Sequence, residues 1–379
     1  MRIGIVCYPT YGGSGVVATE LGMALANDGH LVHFIAFRKP ARLNLRQKNV
    51  FFHEVRYAEY PLFEYAPYES ALTSQIVSVA LSEKLDLLHV HYAIPHAATA
   101  YMAKQILAQK GYNLPIITTL HGTDISLVGR DRSYEPVVTF SINQSDRVTA
   151  VSESLRQETI KHFDINRKIE VIPNFVNLKG KRTNSDPVKR IDFASDDEKI
   201  LIHVSNFRKL KRVQDVIKVF ELVSRQLSAR LLLAGDGPER TAMESLTEEL
   251  HISHKVKFLG NQENIEKLLS VSDLFLIPSE HESFGLSALE AMLCRVPVIS
   301  SDIGGLPEIN LNGETGFVCP VRDVEAMAGK AIKILQDKNL HERMRENAFQ
   351  HAKNFDLEKI VPLYEKLYNE IISKAKLIK

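Results

Sequence analysis

The apolar positions fall into two series of short buried runs separated by longer amphipathic stretches. Residues 2–7, 31–37, 50–55, 85–91, 116–120 and 147–151 are β-branched or leucine-rich and read as strands, with extended backbone again over 169–174. Residues 16–27, 71–83 and 152–162 carry their apolar positions at helical spacing. A second series follows at 200–204, 229–234, 256–259, 273–277 and 297–300, with helical patterns from Val213 and after Phe284. This alternation predicts two α/β units, each a doubly wound parallel sheet, leaving a cleft between their strand ends. The polar stretch 180–198 reads as the surface connection before the second series. Residues 38–67 are harder to read. They hold a short strand and an aromatic stretch, 57–68, broken by Pro61 and Pro67, which either packs on its own domain or contacts an acceptor.

Bulk properties agree with a two-domain soluble protein. At 379 residues the chain exceeds one ordinary core. A net charge of +1 provides no basic field of the kind nucleic-acid binders show. No apolar run is long enough to span a bilayer, and the chain opens on a buried strand rather than a signal peptide, so the expected address is the cytoplasm without integral membrane association. Cys7, Cys294 and Cys319 are far apart and lack metal-ligand spacing, which predicts buried free thiols. A homo-oligomer is left open.

Candidate chemistry sits at the strand ends. After the first strand, Gly12, Gly13 and Gly15 precede a helix whose free N–H groups suit an anion, although glycine also serves simple turns. The spacing is neither a dinucleotide fingerprint nor a Walker loop. His89 and His91 alternate along one strand and so share a face; a metal pair is conceivable, but no third ligand is evident. Tyr92 and His121 end two strands, where open α/β sheets bind ligands. Arg147 stands at the mouth of the next strand. In the second series, Arg208, Lys209, Lys211 and Arg212 crowd a helix start, which a bound diphosphate or mere solvation would explain. Glu282 precedes the helix after Phe284. Glu290 lies on the border of that helix's buried stripe, Leu286, Leu289, Met292 and Leu293, where its carboxylate requires hydrogen-bond donors. The bland alternative is a capped surface helix with acidic solubilising residues.

The run from Pro278 through Glu282, Ser283, Phe284, Gly285, Leu286 and Glu290 to Met292, with Pro297, Gly304-Gly305-Leu306-Pro307-Glu308 and Gly313–Phe317, resembles the retaining glycosyltransferase family 4 signature. The resemblance covers almost the whole chain. It implies a GT-B fold of two facing Rossmann-like domains: 1–165 with 357–379 binding the acceptor, and 166–356 binding the nucleotide-sugar donor, the last helix crossing back onto the first domain. It further implies that Glu282 contacts donor-sugar hydroxyls, Glu290 the ribose diol, and Lys211 with Arg208 the diphosphate. The family arginine usually stands where this chain has Asn206, which is kept among the donor contacts with Gly13, Gly15, Ser283, Phe284, Gly285 and Leu286. His121 is implied to orient the donor sugar.

Within the family, Gly12–Gly15, His89–Tyr92, His121–Asp124 and Ser205–Arg208 look most like the branch that moves N-acetylglucosamine from UDP-N-acetylglucosamine to the hydroxyl of L-malate at the start of bacillithiol synthesis. They are also similar to the branch acting on inositol phosphate. By that resemblance Ser14, Tyr92, Thr123 and Arg147 line the acceptor pocket. No Asp-x-Asp motif is present, so a metal-independent reaction without cofactor is expected, the cationic loop and helix start meeting the departing diphosphate. The alternatives are a family member using inositol phosphate or a lipid-linked acceptor, a non-catalytic UDP-sugar-binding module, and an epimerase of the same fold.

Overall fold

The computed structural model describes residues 1–10, 12–57, 66–129, 131–178 and 188–377. Most of the aromatic stretch, residues 180–187 of the surface connection and Tyr11 of the glycine loop lie outside the described residues. The chain divides into two compact units, Met1–Phe175 with Leu357–Lys379, and Val176–Asp356.

The first unit is built on seven parallel strands: β1 (Arg2–Val6), β2 (Leu31–Ala36), β3 (Val50–Glu54), β4 (Leu87–His91), β5 (Ile116–Leu120), β6 (Arg147–Ala150) and β7 (Ile169–Val171), in the order β3-β2-β1-β4-β5-β6-β7. The switch point therefore lies between β1 and β4, the place where such sheets bind ligands. Leu72, Ile76 and Val79 of the helix Tyr68–Glu83 and Ala100, Ala103 and Leu107 of the helix Ala98–Ala108 bury one sheet face with Val6, Leu88 and Ile116. Strand β7 pairs with β6. Residues 166–175 thus lie in the first unit, where the sequence reading ended the domain at 165; a three-residue strand is too short to reveal its partner by pattern. The helix Leu357–Leu377 belongs to this unit and buries Tyr364 and Tyr368.

The second unit repeats the plan with β8 (Lys199–Val204), β9 (Ala229–Ala234), β10 (Val256–Gly260), β11 (Leu274–Ile277), β12 (Val298–Ser301) and β13 (Gly316–Cys319), ordered β10-β9-β8-β11-β12-β13. Its switch point lies between β8 and β11. The helix Val213–Ser224 drives Val216, Phe220 and Val223 into a core with Leu231, Leu233, Leu274 and Leu276. Cys7 and Cys319 are buried free thiols and Cys294 is half-buried.

Candidate active site

In the second unit the loops after β8 and β11 are tied together at the switch point. The Glu280 N–H donates to the Leu210 carbonyl at 2.9 Å. Two ion pairs flank that bond: Lys211 Nζ to Glu282 Oε2 at 2.5 Å, and Arg212 Nη1 to Glu280 Oε2 at 3.1 Å. Glycines in the loops after β12 and β9 come against the backbone of these two loops. A Cβ on Gly304, at φ +58, would stand 1.8 Å from the Glu282 carbonyl oxygen, and the Gly305 N–H donates to that oxygen at 3.0 Å. Likewise, a Cβ on Gly235 would stand 1.8 Å from the Ser205 carbonyl oxygen. Only glycine permits such approach. His203 donates from Nδ1 to the Leu276 carbonyl at 2.7 Å and accepts from Ser205 Oγ at 2.7 Å; burial lowers its pKa to about 4, so it is a neutral brace between β8 and β11.

The basic loop splits into roles that charge counting could not separate. Arg212, at φ +51, is held by Asp215 through Nε and Nη2, at 2.5 and 3.0 Å, as well as by Glu280. Its charge at the helix start is answered by protein carboxylates, and no ligand is needed to explain it. Arg208 and Asn206 are exposed. Lys211 is half-buried beside Glu282. Gly285, at φ +97, begins the helix Leu286–Leu293, leaving the first N–H groups there beyond the helix's own ladder. Ser283, Leu286 and Glu290 are half-buried, whereas Phe284 is buried against Phe355 and offers a ligand only its backbone. The buried stripe of this helix is Ala288, Leu289, Ala291 and Met292. Leu286 and Leu293 are only half-buried, contrary to the sequence reading, because at helical spacing they fall at the edge of the arc that Ala288, Leu289, Ala291 and Met292 occupy.

In the first unit the helix expected from residue 16 starts at Gly13, because Gly12 serves as its N-cap. Gly13 is exposed there, while Gly15 is demanded by packing: its Cβ would lie 2.5 Å from the Thr10 carbonyl oxygen and 2.6 Å from that of Tyr8. Tyr92 Oη donates to Ser14 Oγ at 2.6 Å across the β1/β4 switch, and the Thr123 side chain is near enough to act on the phenol, lowering its pKa against the effect of burial. Ser14, Tyr92 and Thr123 therefore converge. Tyr92 has φ +87, a conformation rare for a bulky residue, and burial raises its pKa to about 12, keeping the hydroxyl protonated.

Arg147 does not join them. It is the first residue of β6, paired in register with Ile117, whereas His121 follows the far end of β5. Its guanidinium lies 3.8 Å from Glu170 and 3.9 Å from Glu370. The sequence reading took the start of the strand for its ligand-facing end, and the acceptor assignment of Arg147 is withdrawn.

Behind Tyr92, His89 and His91 stack on one face with ring centroids 4.5 Å apart. Tyr368 Oη and Thr119 Oγ1 occupy the two His89 nitrogens, each at 2.7 Å. The third imidazole that sequence could not supply is His121, whose Nε2 lies 2.8 Å from His91 Nδ1. Ring nitrogens spent on one another are not ligands, and among the described residues no group of three or more His, Cys, Asp or Glu could hold a metal ion. Burial lowers the pKa of His89 and His121 to about 3 and that of His96 to about 4, with His91 also well below its usual value. All four are neutral near pH 7.

Sequence reasoning gives Asp124, the last residue of the His121–Asp124 motif, no role. It accepts the N–H groups of Ala93 and Gly122, at 2.8 and 3.0 Å, and so ties the β5 loop to the β4 loop; burial raises its pKa to about 6 despite those bonds. An aspartate two residues after a glycine at the end of a strand is the signal the sequence carries, and that glycine, Gly122, stands at φ +109.

Two doubly wound parallel sheets, each with polar side chains bridging the loops at its switch point, define a GT-B protein. Residues 11–179 match Glycosyltransferase Family 4 and residues 185–351 match Glycosyl transferases group 1. The chain is 47% identical over 378 residues to the N-acetyl-alpha-D-glucosaminyl L-malate synthase of Bacillus anthracis, covering 99% of this chain and 98% of that protein. It is 24% identical to the D-inositol 3-phosphate glycosyltransferase of Corynebacterium diphtheriae, over 76% of this chain and 71% of that one. Among solved structures, Anabaena HepE in complex with UDP-glucose superposes with a TM-score of 0.79 at 21% identity, covering 98% of this chain and 100% of that one. The chain belongs to the family 4 glycosyltransferases.

Proposed function

We propose that the protein transfers N-acetylglucosamine from UDP-N-acetylglucosamine to the hydroxyl of L-malate with retention at the anomeric carbon. The observation that carries this reading is the 47% identity, over nearly the full length of both chains, to a protein named for that product. The site chemistry agrees. Glu282, held beside Lys211 at 2.5 Å, suits hydroxyls of the donor sugar. Lys211, exposed Arg208 and the helix start at Leu286 suit the diphosphate, with Asn206, Ser283, the Phe284 backbone and Gly285 around them and Glu290 for the ribose. Ser14, Tyr92 and Thr123 offer three hydroxyls to the acceptor, beside the exposed Gly13 end of a helix that carries no acidic residue in its first turn. On this reading 166–356 is the donor domain, except that residues 166–175 go with the acceptor domain.

The bond from the anomeric carbon to the diphosphate oxygen breaks as the bond to the malate oxygen forms on the same face, and the malate proton passes to the departing phosphate. Neutral His121 orients the sugar and takes no proton. Because cationic side chains and helix N–H groups meet the leaving charge, the reaction proceeds without a metal ion. Both substrates are small and water-soluble, so on this reading the enzyme works in the cytoplasm.

The test is UDP release from UDP-N-acetylglucosamine with L-malate, with inositol phosphate and with no acceptor, each with and without EDTA, with NMR of the product's anomeric centre. Release dependent on L-malate, an α-linked product and indifference to EDTA are expected. Faster release with inositol phosphate, or an altered sugar without acceptor, overturns the reading.

A further inference from the structure

We propose that His91 is a positioning residue that fixes His121 as the Nδ1–H tautomer, so that His121 presents a hydrogen-bond donor to its ligand. The inference rests on the reading of His121 as a group that orients the donor sugar. His91 is completely buried at the end of β4, and among the described residues its only hydrogen-bonded ring atom is Nδ1, 2.8 Å from His121 Nε2. One of these two nitrogens must carry the shared proton.

The surroundings decide which. His91 Nε2 is buried without a partner. If His91 carried its proton there, a buried N–H would be orphaned and Nδ1 would have to accept. Orphaned buried N–H groups are rarer than under-used acceptors. The proton therefore sits on His91 Nδ1 and is donated to His121 Nε2. Next to it, His96 follows the same rule: its Nδ1 faces the His91 carbonyl at 2.6 Å and must donate, leaving Nε2 as the unpartnered acceptor. Among the described residues no carboxylate hydrogen-bonds either ring of the His91–His121 pair, and His89, stacked on His91, has both nitrogens engaged by Tyr368 and Thr119. With Nε2 accepting, neutral His121 has its single proton on Nδ1. His121 is then a fixed donor to a sugar oxygen, and neither ring nitrogen remains open to act as a base.

Two-bond nitrogen–proton correlation spectra of the full chain, labelled with ¹⁵N-histidine at pH 7.5 and assigned with H121N, test this without substrate. The expected spectrum shows His121 protonated at Nδ1. In H91N, the Asn amide can replace the Nδ1–H donor, so the tautomer should persist and kcat stay within about threefold of the parent. In H91L, His121 should revert toward the Nε2–H form favoured by free histidine, with kcat lowered about tenfold or more and KM for the donor little changed, since the wrong tautomer impairs chemistry more than binding. His121 protonated at Nε2 in the unaltered protein overturns the inference, as does an H91L protein that keeps the Nδ1–H form. If no malate-dependent UDP release occurs while the spectra follow these expectations, the functional reading fails and the tautomer assignment stands.

Discussion

Lys211 and Glu282 pair at 2.5 Å from loops that follow β8 and β11, the two strands flanking the switch point of the second sheet. The Tyr92–Ser14 bond occupies the corresponding position in the first unit, joining the loop after β4 to the first turn of the helix after β1 at 2.6 Å. Each unit thus carries a polar cross-link where its sheet order reverses.

For the Lys211–Glu282 pair, stability and activity should separate. Both side chains are mostly buried, at 19% and 16% exposure, so removing one leaves a poorly solvated charge and should cost roughly 1–3 kcal/mol in E282Q or K211M. The double variant should be more stable than the sum of the single losses implies, because neither charge is stranded. Turnover should not recover with it: each single variant and the double variant should lose about a hundredfold or more in kcat/KM. Urea melts and UDP-release kinetics on the four proteins measure both effects. Recovery of activity in the double variant would show that the pair only holds the loops.

Moving Arg147 out of the acceptor set predicts a contrast. R147A should leave KM for L-malate within about twofold of the parent and cost under about 1 kcal/mol, as its contacts to Glu170 and Glu370 are 3.8 and 3.9 Å long and partly exposed. Y92F removes the hydroxyl that reaches Ser14 and should raise that KM about tenfold. Acceptor titrations decide, and a malate KM raised more by R147A than by Y92F would return Arg147 to the site.

The alternation of strand and helix was legible because its period is local, and the signature around Glu282 and Glu290 marked the family before any geometry was known. What was hidden depends on direction and on distant partners. Arg147 was misplaced because its role came from the resemblance alone, whereas it begins β6, at the end of the strand opposite to the carboxyl ends where Tyr92 and His121 stand. Arg212 looked like a ligand for diphosphate because its answering carboxylates, Asp215 and Glu280, come partly from a loop 68 residues away. The His91–His121 bond joins residues 30 apart on neighbouring strands, so periodicity gave His89 and His91 a common face but could not supply their third neighbour.

The glycine turn behind Glu282 should tolerate no side chain. G304A would need φ +58 for an alanine and would press its Cβ to 1.8 Å from the Glu282 carbonyl oxygen, which is backbone and cannot swing aside. A loss of roughly 3 kcal/mol or more is expected, with activity falling as the Glu282 loop is displaced. G313A is the matched control. Its φ is +82, but nothing lies within 4 Å of the added Cβ, so only the conformational cost of about 1–2 kcal/mol should appear, with turnover intact. Equal losses in the two variants would mean that the close approach to Glu282 is relieved by backbone movement.

Acid should weaken the first unit before the second. His89, His96 and His121 have folded pKa values of about 3, 4 and 3, and His91 is also far below its usual value, in each case chiefly through burial. Above about pH 6.5 these imidazoles are neutral in both the folded and the unfolded chain, and stability is unaffected. Below that value the unfolded chain binds protons that the folded unit refuses, so stability falls with pH by about 1.4 kcal/mol per unit per histidine until the folded pKa is reached. Asp124 acts oppositely: with its folded pKa raised to about 6, it takes up a proton in the folded state first and offsets about one histidine. In the second unit, His203 is the comparable fully buried histidine among the described residues, and His341 and His351 are shifted down less deeply. Between pH 7 and 5 the first unit should therefore lose several kcal/mol and the second roughly 2 to 3. Urea unfolding at both pH values, read by pulse-labelling hydrogen exchange on peptides from each unit, would report the two midpoints. Parallel shifts in both units would mean that the buried histidines of the first unit take up protons while it remains folded.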